Sequence, residues 1–317
     1  MLKRKKPYDN LPEIPHGTRP LILLTGNGIN LSFEGAKKTD SIIQEEWKKN
    51  YGKILPDSND KNPHEIWKLP LPQQVVIATK DHVQGCMTEL SETFKRLEVL
   101  EMQKAFIKTI LDTGFDVILS TNYSLEFEKS TIKECTQNKI YSCYRTTKEQ
   151  TPQQKKFGIF QCTELPFSNH PLLWHIHGSA LRKNSMVMGQ FYYGKLLSEI
   201  TVRADKVNTE YRKTEKAKQP FQPMSWIDYL LIGDVHIFGL QLDYSENDLW
   251  WLLSYKKSAF PESRTYYYSE IISKEKQLML DCYDIKTPYV PFNNREKSQK
   301  HIKYYKRICS KILENRD

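Results

Sequence analysis

The sequence predicts an α/β protein: a Rossmann-like, doubly wound, mostly parallel sheet with a helical insertion. Three observations carry that reading. Short apolar runs recur along the chain and alternate with stretches of helical periodicity. The runs are unbroken rather than alternating, as in strands buried on both faces. Four of them end in loops rich in Gly, Asn, Ser and His.

Residues 1–19 are basic and lack the apolar segment of a secretory signal, so a flexible basic arm is expected before the first strand. Residues 20–317 are read as one domain. Leu21 to Thr25 (LILLT) is a central strand entering a tight turn at Gly26-Asn27-Gly28. Residues of about 36–111 are mostly helical and are read as an insertion, with Leu97, Leu100, Ala105, Ile107, Ile110 and Leu111 on its last apolar face. Gly114 stops that helix. Asp116 to Leu119 is a second strand, followed by a short helix from Leu125 and two irregular strand-like pieces. Leu172 to Ile176 is a further strand. The polar stretch Val202 to Pro223 is read as an exposed basic excursion. Ser225 caps a helix beginning near Trp226. Val235 to Phe238 is another strand, and Ser245 is the expected cap of the helix carrying Leu249, Trp250, Leu252 and Leu253. Arg264 to Tyr268, a helix near Lys274 and Pro288 to Pro291 complete the alternation. The last helix places Ile302, Tyr305, Cys309 and Ile312 on one face.

Composition narrows the class. Hydrophobic residues make up 39% and charged residues 27%, an ordinary globular balance. No apolar run approaches the ~20 residues of a membrane span, so no membrane partner is expected. The six cysteines include no C-x-x-C pair, which points to a reducing cytoplasm and to no zinc ribbon. The net charge of +9 gathers at Lys3 to Lys6, at Arg203 to Lys218 and in the last helix. It is read first as solvated faces and tails, with contact with nucleic acid or a nucleic-acid-bound partner as the alternative.

Beyond the carboxyl ends of four strands lie GNGIN (Gly26 to Asn30), STNYS (Ser120 to Ser124), HIHGS (His175 to Ser179) and GLQLDYSEND (Gly239 to Asp248). Ligands of open parallel sheets bind at that edge. Each loop has two readings. Gly26 and Gly28 make a tight turn, or let backbone N–H groups approach a pyrophosphate. Asn30 and Asn122 are turn residues or ligand contacts. His177 is a structural hydrogen-bonder or a general base. His175, two residues earlier, orients that ring or touches the ligand. Asp243 is a loop carboxylate or a ribose contact.

Taken together the loops resemble the sirtuin (Sir2-like) superfamily, whose G-A-G-x-S turn, T-Q-N-x-D loop, H-G histidine and G-x-S-L segment correspond in order to GNGIN, STNYS, HIHGS and GLQL here. The likeness spans Leu21 to about Leu253. It is nearer to the divergent proteins of bacterial anti-phage defence, such as Thoeris-type effectors with T-N-Y-D and H-x-H-G, and to the abortive-infection H family with G-N-G and H-I-H-G. The resemblance implies an NAD+ hydrolase, with NAD+ as substrate and no metal. It implies Asn122 and His177 as catalytic, and Gly26, Asn27, Gly28, Asn30, Thr121, Ser124, His175, Gly239 and Asp243 around the dinucleotide. It implies homo-oligomerisation or a partner defence protein, a motor ATPase or a nucleic-acid-guided complex, as activator. Three departures stand out. The paired C-x-x-C of deacylase sirtuins is missing, the aspartate of the N-Y-D loop is Ser124, and the serine of the first turn is Asn30. A non-catalytic nucleotide-binding subunit and an NAD-dependent deacylase or ADP-ribosyltransferase are the alternative readings.

Overall fold

The computed structural model describes residues 9–31, 44, 47–49, 65–69, 71–80, 83–148, 150–292 and 300–315. Its centre is an eight-stranded sheet. The strands are β1 (Leu21–Thr25), β2 (Val117–Ser120), β3 (Tyr144–Thr146), β4 (Gln161–Glu164), β5 (Leu172–His175), β6 (Asp234–Ile237), β7 (Thr265–Tyr267) and β8 (Ile285–Lys286). They lie in the order β3-β4-β5-β2-β1-β6-β7-β8. All pairings from β5 to β8 are parallel, and β3 and β4 are antiparallel additions at one edge. Numbered along the chain, the six parallel strands read 3-2-1-4-5-6 across the sheet. That is the strand order of Rossmann-like doubly wound sheets, and its direction reverses between β1 and β6.

The unbroken apolar strands follow from burial on both faces. Ile22, Leu24, Val117, Leu119, Leu172, Trp174, Val235 and Ile237 join one core layer, while Leu21, Leu23, Ile118 and Leu173 join the other. The alternation is the two-residue period of a strand. The first layer is covered by α2 (Leu71–Ala78), α3 (Val83–Arg96), α8 (Gln190–Ala217), α9 (Trp226–Ile232) and α10 (Asn247–Ala259). The second is covered by α4 (Glu101–Asp112) and α12 (Lys300–Glu314). Short helices α1 (Gly28–Leu31), α5 (Glu126–Thr131), α6 (Gln137–Ser142) and α7 (Pro152–Phe157) fill the connections, and α11 (Lys274–Cys282) precedes β8. None of the described helices is long and apolar enough to cross a membrane.

Several expectations change. Residues 202–217 are the second half of α8, not an exposed excursion. Leu196, Ile200, Ala204, Val207 and Tyr211 form its buried stripe, and a reading that begins at Val202 cuts that stripe in two. Arg203 looks like a surface charge but is buried. Its guanidinium donates from Nε to Asp228 Oδ1 at 2.8 Å and from Nη1 to Glu210 Oε2 at 3.1 Å. Residues 9–19 are not a loose arm. Leu11 and Ile14 are buried, and Ile14 bridges Phe221; residues 1–8 lie outside the described residues. Within the block of about 36–111, α4 covers one face of the sheet and α2 and α3 the other, while residues 36–43, 45–46, 50–64, 70 and 81–82 lie outside the described residues. Pro288 to Pro291 is not a strand, since two prolines deprive the ladder of donors; the last strand is Ile285–Lys286. Ser225 caps α9, accepting from the Asp228 N–H. Ser245 does not cap α10, because its hydroxyl donates to Asp243 instead.

Candidate active site at the carboxyl edge of the sheet

The strand register brings the four loops to one edge: Thr25 pairs with Ser120, Ser120 with His175, and Leu24 with Ile237. The loops after β1 and β6 interlock. The Gly28 N–H donates to the Gly239 carbonyl at 2.8 Å. A Cβ on Gly28 would come within 2.7 Å of that oxygen, and one on Gly26 within 2.8 Å of Thr121 Oγ1. Gly239, at φ +68°, meets Ile29 on its other side. These glycines are therefore needed for the approach of one loop to another. The Gly28 N–H is thus engaged within the protein, in keeping with the tight-turn reading of this loop.

A side-chain network crosses from the first loop to the second. Gln103, on α4, donates to Asn30 Oδ1 at 2.7 Å. Asn30 Nδ2 donates to Asn27 Oδ1 at 3.4 Å and reaches Ser124 Oγ at 3.5 Å. Ser124 and Asn122 both donate to the Glu126 carboxylate, each at 2.6 Å. Glu126 thus supplies a carboxylate beside Ser124. Burial holds its pKa above the ordinary value against the lowering effect of the Ser124 and Asn122 bonds. Thr121 is tied through its N–H to the Thr25 carbonyl at 3.0 Å.

The two histidines separate. His175 ends β5; its Nδ1 donates to the Asn122 carbonyl at 2.7 Å and its Nε2 faces Glu128 Oε1 at 3.0 Å. Two acceptors on two ring nitrogens favour the imidazolium. Burial alone would lower its pKa, but Glu128 and the carbonyl outweigh burial and raise it. His175 therefore holds the second loop rather than the His177 ring. His177 lies beyond the strand, in a turn where Gly178 has φ +94° and a Cβ would meet the Ser185 carbonyl. Its Nε2 bonds Asp248 Oδ2 at 2.8 Å and lies 3.9 Å from Glu246 Oε2. Burial again opposes the charged form, and Asp248 and then Glu246 more than compensate, raising the pKa. The Tyr193 ring stands edge-on to His177, centroids 5.2 Å apart. Among the described residues nothing bonds His177 Nδ1. With Asp248 accepting from Nε2–H, Nδ1 carries the lone pair and is the atom able to take a proton.

Asp243 lies apart. It is exposed, and its carboxylate accepts from the Ser245 N–H at 2.9 Å in an Asx-type turn. Glu246 is pushed up to about 7, by burial first and with Asp248 adding to it, while His177 acts the other way. Sequence reading missed Glu126, Glu128, Glu246, Asp248 and Gln103. The spacing of Glu126, four residues after Asn122 on the start of a helix, was a usable signal. His177, Glu246 and Asp248 bring one ligand atom each to within 4.8 Å of one another, a set able to hold a metal ion where sequence reading foresaw none. Searches against protein-family models and against curated proteins find no match.

Proposed function

We propose that this chain cleaves NAD+ to nicotinamide and ADP-ribose, with His177 as general base. The observation that carries the reading is the His177–Asp248 pair, buried at the carboxyl edge of a 3-2-1-4-5-6 sheet beside the Asn122–Glu126 network. In this reaction the bond between C1′ and the nicotinamide nitrogen breaks, and its electron pair neutralises the pyridinium. No acid is needed for that leaving group. Water adds to C1′ and gives its proton to His177 Nδ1, a contribution typically worth about 100- to 10,000-fold. Asp248 holds the imidazole in the working tautomer and stabilises the imidazolium that forms. Glu126 fixes the Asn122 and Ser124 side chains in place. Control by self-association or by a partner protein belongs to this reading through the family resemblance alone.

The test is nicotinamide release from NAD+ by the purified full chain, followed by chromatography beside His177→Ala and Asn122→Ala. Release that both substitutions abolish supports the assignment. Undiminished release by His177→Ala overturns the base. A second reading, nucleotide binding without turnover, is favoured by the engagement of the Asn30 and Asn122 amides within the protein. It predicts saturable NAD+ binding with no product.

A further inference from the structure

The structure assigns His177, Glu246 and Asp248 a second role: they form a site for one divalent transition cation, which silences the base when bound. The site stands on the geometry of the three side chains; the silencing rests on the NAD+-cleavage reading above.

The group combines one imidazole and two carboxylates from two loops, with ligand atoms within 4.8 Å of one another. His177 Nε2 is 2.8 Å from Asp248 Oδ2 and 3.9 Å from Glu246 Oε2. Donors that surround an ion at about 2.0–2.2 Å lie roughly 3–3.5 Å apart, so small side-chain rotations suffice. Among the described residues, two buried carboxylate oxygens here have no hydrogen-bond partner: Asp248 Oδ1, on a residue 1% exposed, and Glu246 Oε2. A buried carboxylate oxygen without a donor is costly, and a cation between the carboxylates removes that cost. The neighbouring groups supply little compensation. Tyr123 and Tyr193 press on the cluster as neutral phenols, their ionisation made harder by burial and by the two carboxylates. Lys276 donates instead to the Gln241 and Leu242 carbonyls. One nitrogen and two oxygens suit Zn2+, Mn2+ or Co2+ better than Ca2+, which takes six to eight oxygens.

The consequence follows from the tautomer. In the working state Nε2 carries the proton shared with Asp248, and Nδ1 carries the lone pair. A cation on Nε2 needs the lone pair there, so the ring's single N–H proton moves to Nδ1. Nδ1 becomes a donor and no longer accepts from water. Cation and catalytic proton therefore compete for one ring.

The experiment is a Co2+ titration of the chelator-stripped full chain, read by visible absorption and by displacement with Zn2+. One Co2+ per chain is expected, weakened at least about tenfold in Glu246→Gln and in Asp248→Asn, ligand changes that should cost no less than second-shell ones. Zn2+ should raise the melting temperature of the wild type by mass action and raise that of either variant less at the same concentration, which separates lost binding from lost folding. Absence of saturable Co2+ binding by the wild type, or binding by both variants as tight as the wild type's, overturns the site. Nicotinamide release should then rise with chelator and fall with Zn2+. A cation that binds without slowing an active enzyme overturns the silencing. If no preparation releases nicotinamide, the cleavage reading and the silencing fall together, and the Co2+ titration still decides the site.

Discussion

Replacing Asp248 by Asn changes one atom of the His177 pair and tests the central argument. The Asp248 side chain is fully buried, and its hydrogen-bonded oxygen lies 2.8 Å from His177 Nε2. The amide of Asn fits the same space. When its Nδ2–H points at the ring, Nε2 must accept, so the neutral imidazole carries its proton on Nδ1. The base then faces water with a donor. The loss expected is the contribution of general-base catalysis, about 100- to 10,000-fold in kcat, equivalent to about 2.7–5.5 kcal/mol of barrier. KM should be nearly unchanged, because the buried carboxylate cannot touch a nucleotide. Steady-state nicotinamide release gives the split between kcat and KM. Nitrogen-15 spectra of the imidazole give the tautomer without reference to activity: Nε2–H in the wild type, Nδ1–H in the variant. An unchanged kcat alongside an inverted tautomer would refute the assignment of Nδ1 as the accepting atom.

Other perturbations test the frame around the site. His175→Gln should destabilise most at mildly acid pH. The raised folded pKa of His175 gives stability that is complete below the unfolded value of about 6.5 and is lost as pH rises through the folded value. Denaturant melts at several pH values check this, and a cost that grows with pH would contradict it. Arg203→Met strands the buried Asp228 carboxylate and should cost about 3–5 kcal/mol; a melt close to that of the wild type would show that the pair is dispensable. Gly28→Ala places a Cβ 2.7 Å from the Gly239 oxygen, so the loops must part, at about 1–3 kcal/mol. Retained stability with an unshifted amide exchange rate at Gly28 would show that the loops do not interlock in solution. Lys256→Met removes a cation that donates to the Leu231 and Gly233 carbonyls and to Ser263. Each acceptor left unpaired costs about 1–3 kcal/mol, measurable by thermal unfolding.

The parallel sheet was legible because its strands are short, apolar and buried on both faces. LILLT and VHIF need no partner to be recognised, and the Gly and Asn residues behind them mark the turns. The two antiparallel edge strands were only glimpsed. Tyr144–Thr146 is three residues long and half exposed, so neither length nor periodicity marks it. The long helix α8 was lost for another reason. Its buried face is diluted by Ala204 and by Arg203, whose burial depends on Asp228 twenty-five positions later. A charge that is interior only because of a distant partner has no local signature.

The same limit governs the site. The loops that carry Asn122, His175 and His177 were found because they follow strands, and the register fixes where such loops go. Their carboxylate partners were missed because each has an innocent local explanation. Glu126 and Glu128 lie in the first turn of α5, and Asp248 in the first turn of α10. Acids are common there, where the helix dipole favours them, so a sequence reader assigns them to the helix and stops. The structure gives them other work. Neither helix has a side-chain cap hydrogen bond; Glu126 turns back to Asn122 and Ser124, Glu128 to His175, and Asp248 to His177. The arrangement is economical. A strand delivers a polar loop to the edge of the sheet, and the first turn of a following helix returns an acid to it. An acid in that first turn with no capping role is thus a candidate partner for the loop, a criterion that uses the fold to read the sequence a second time.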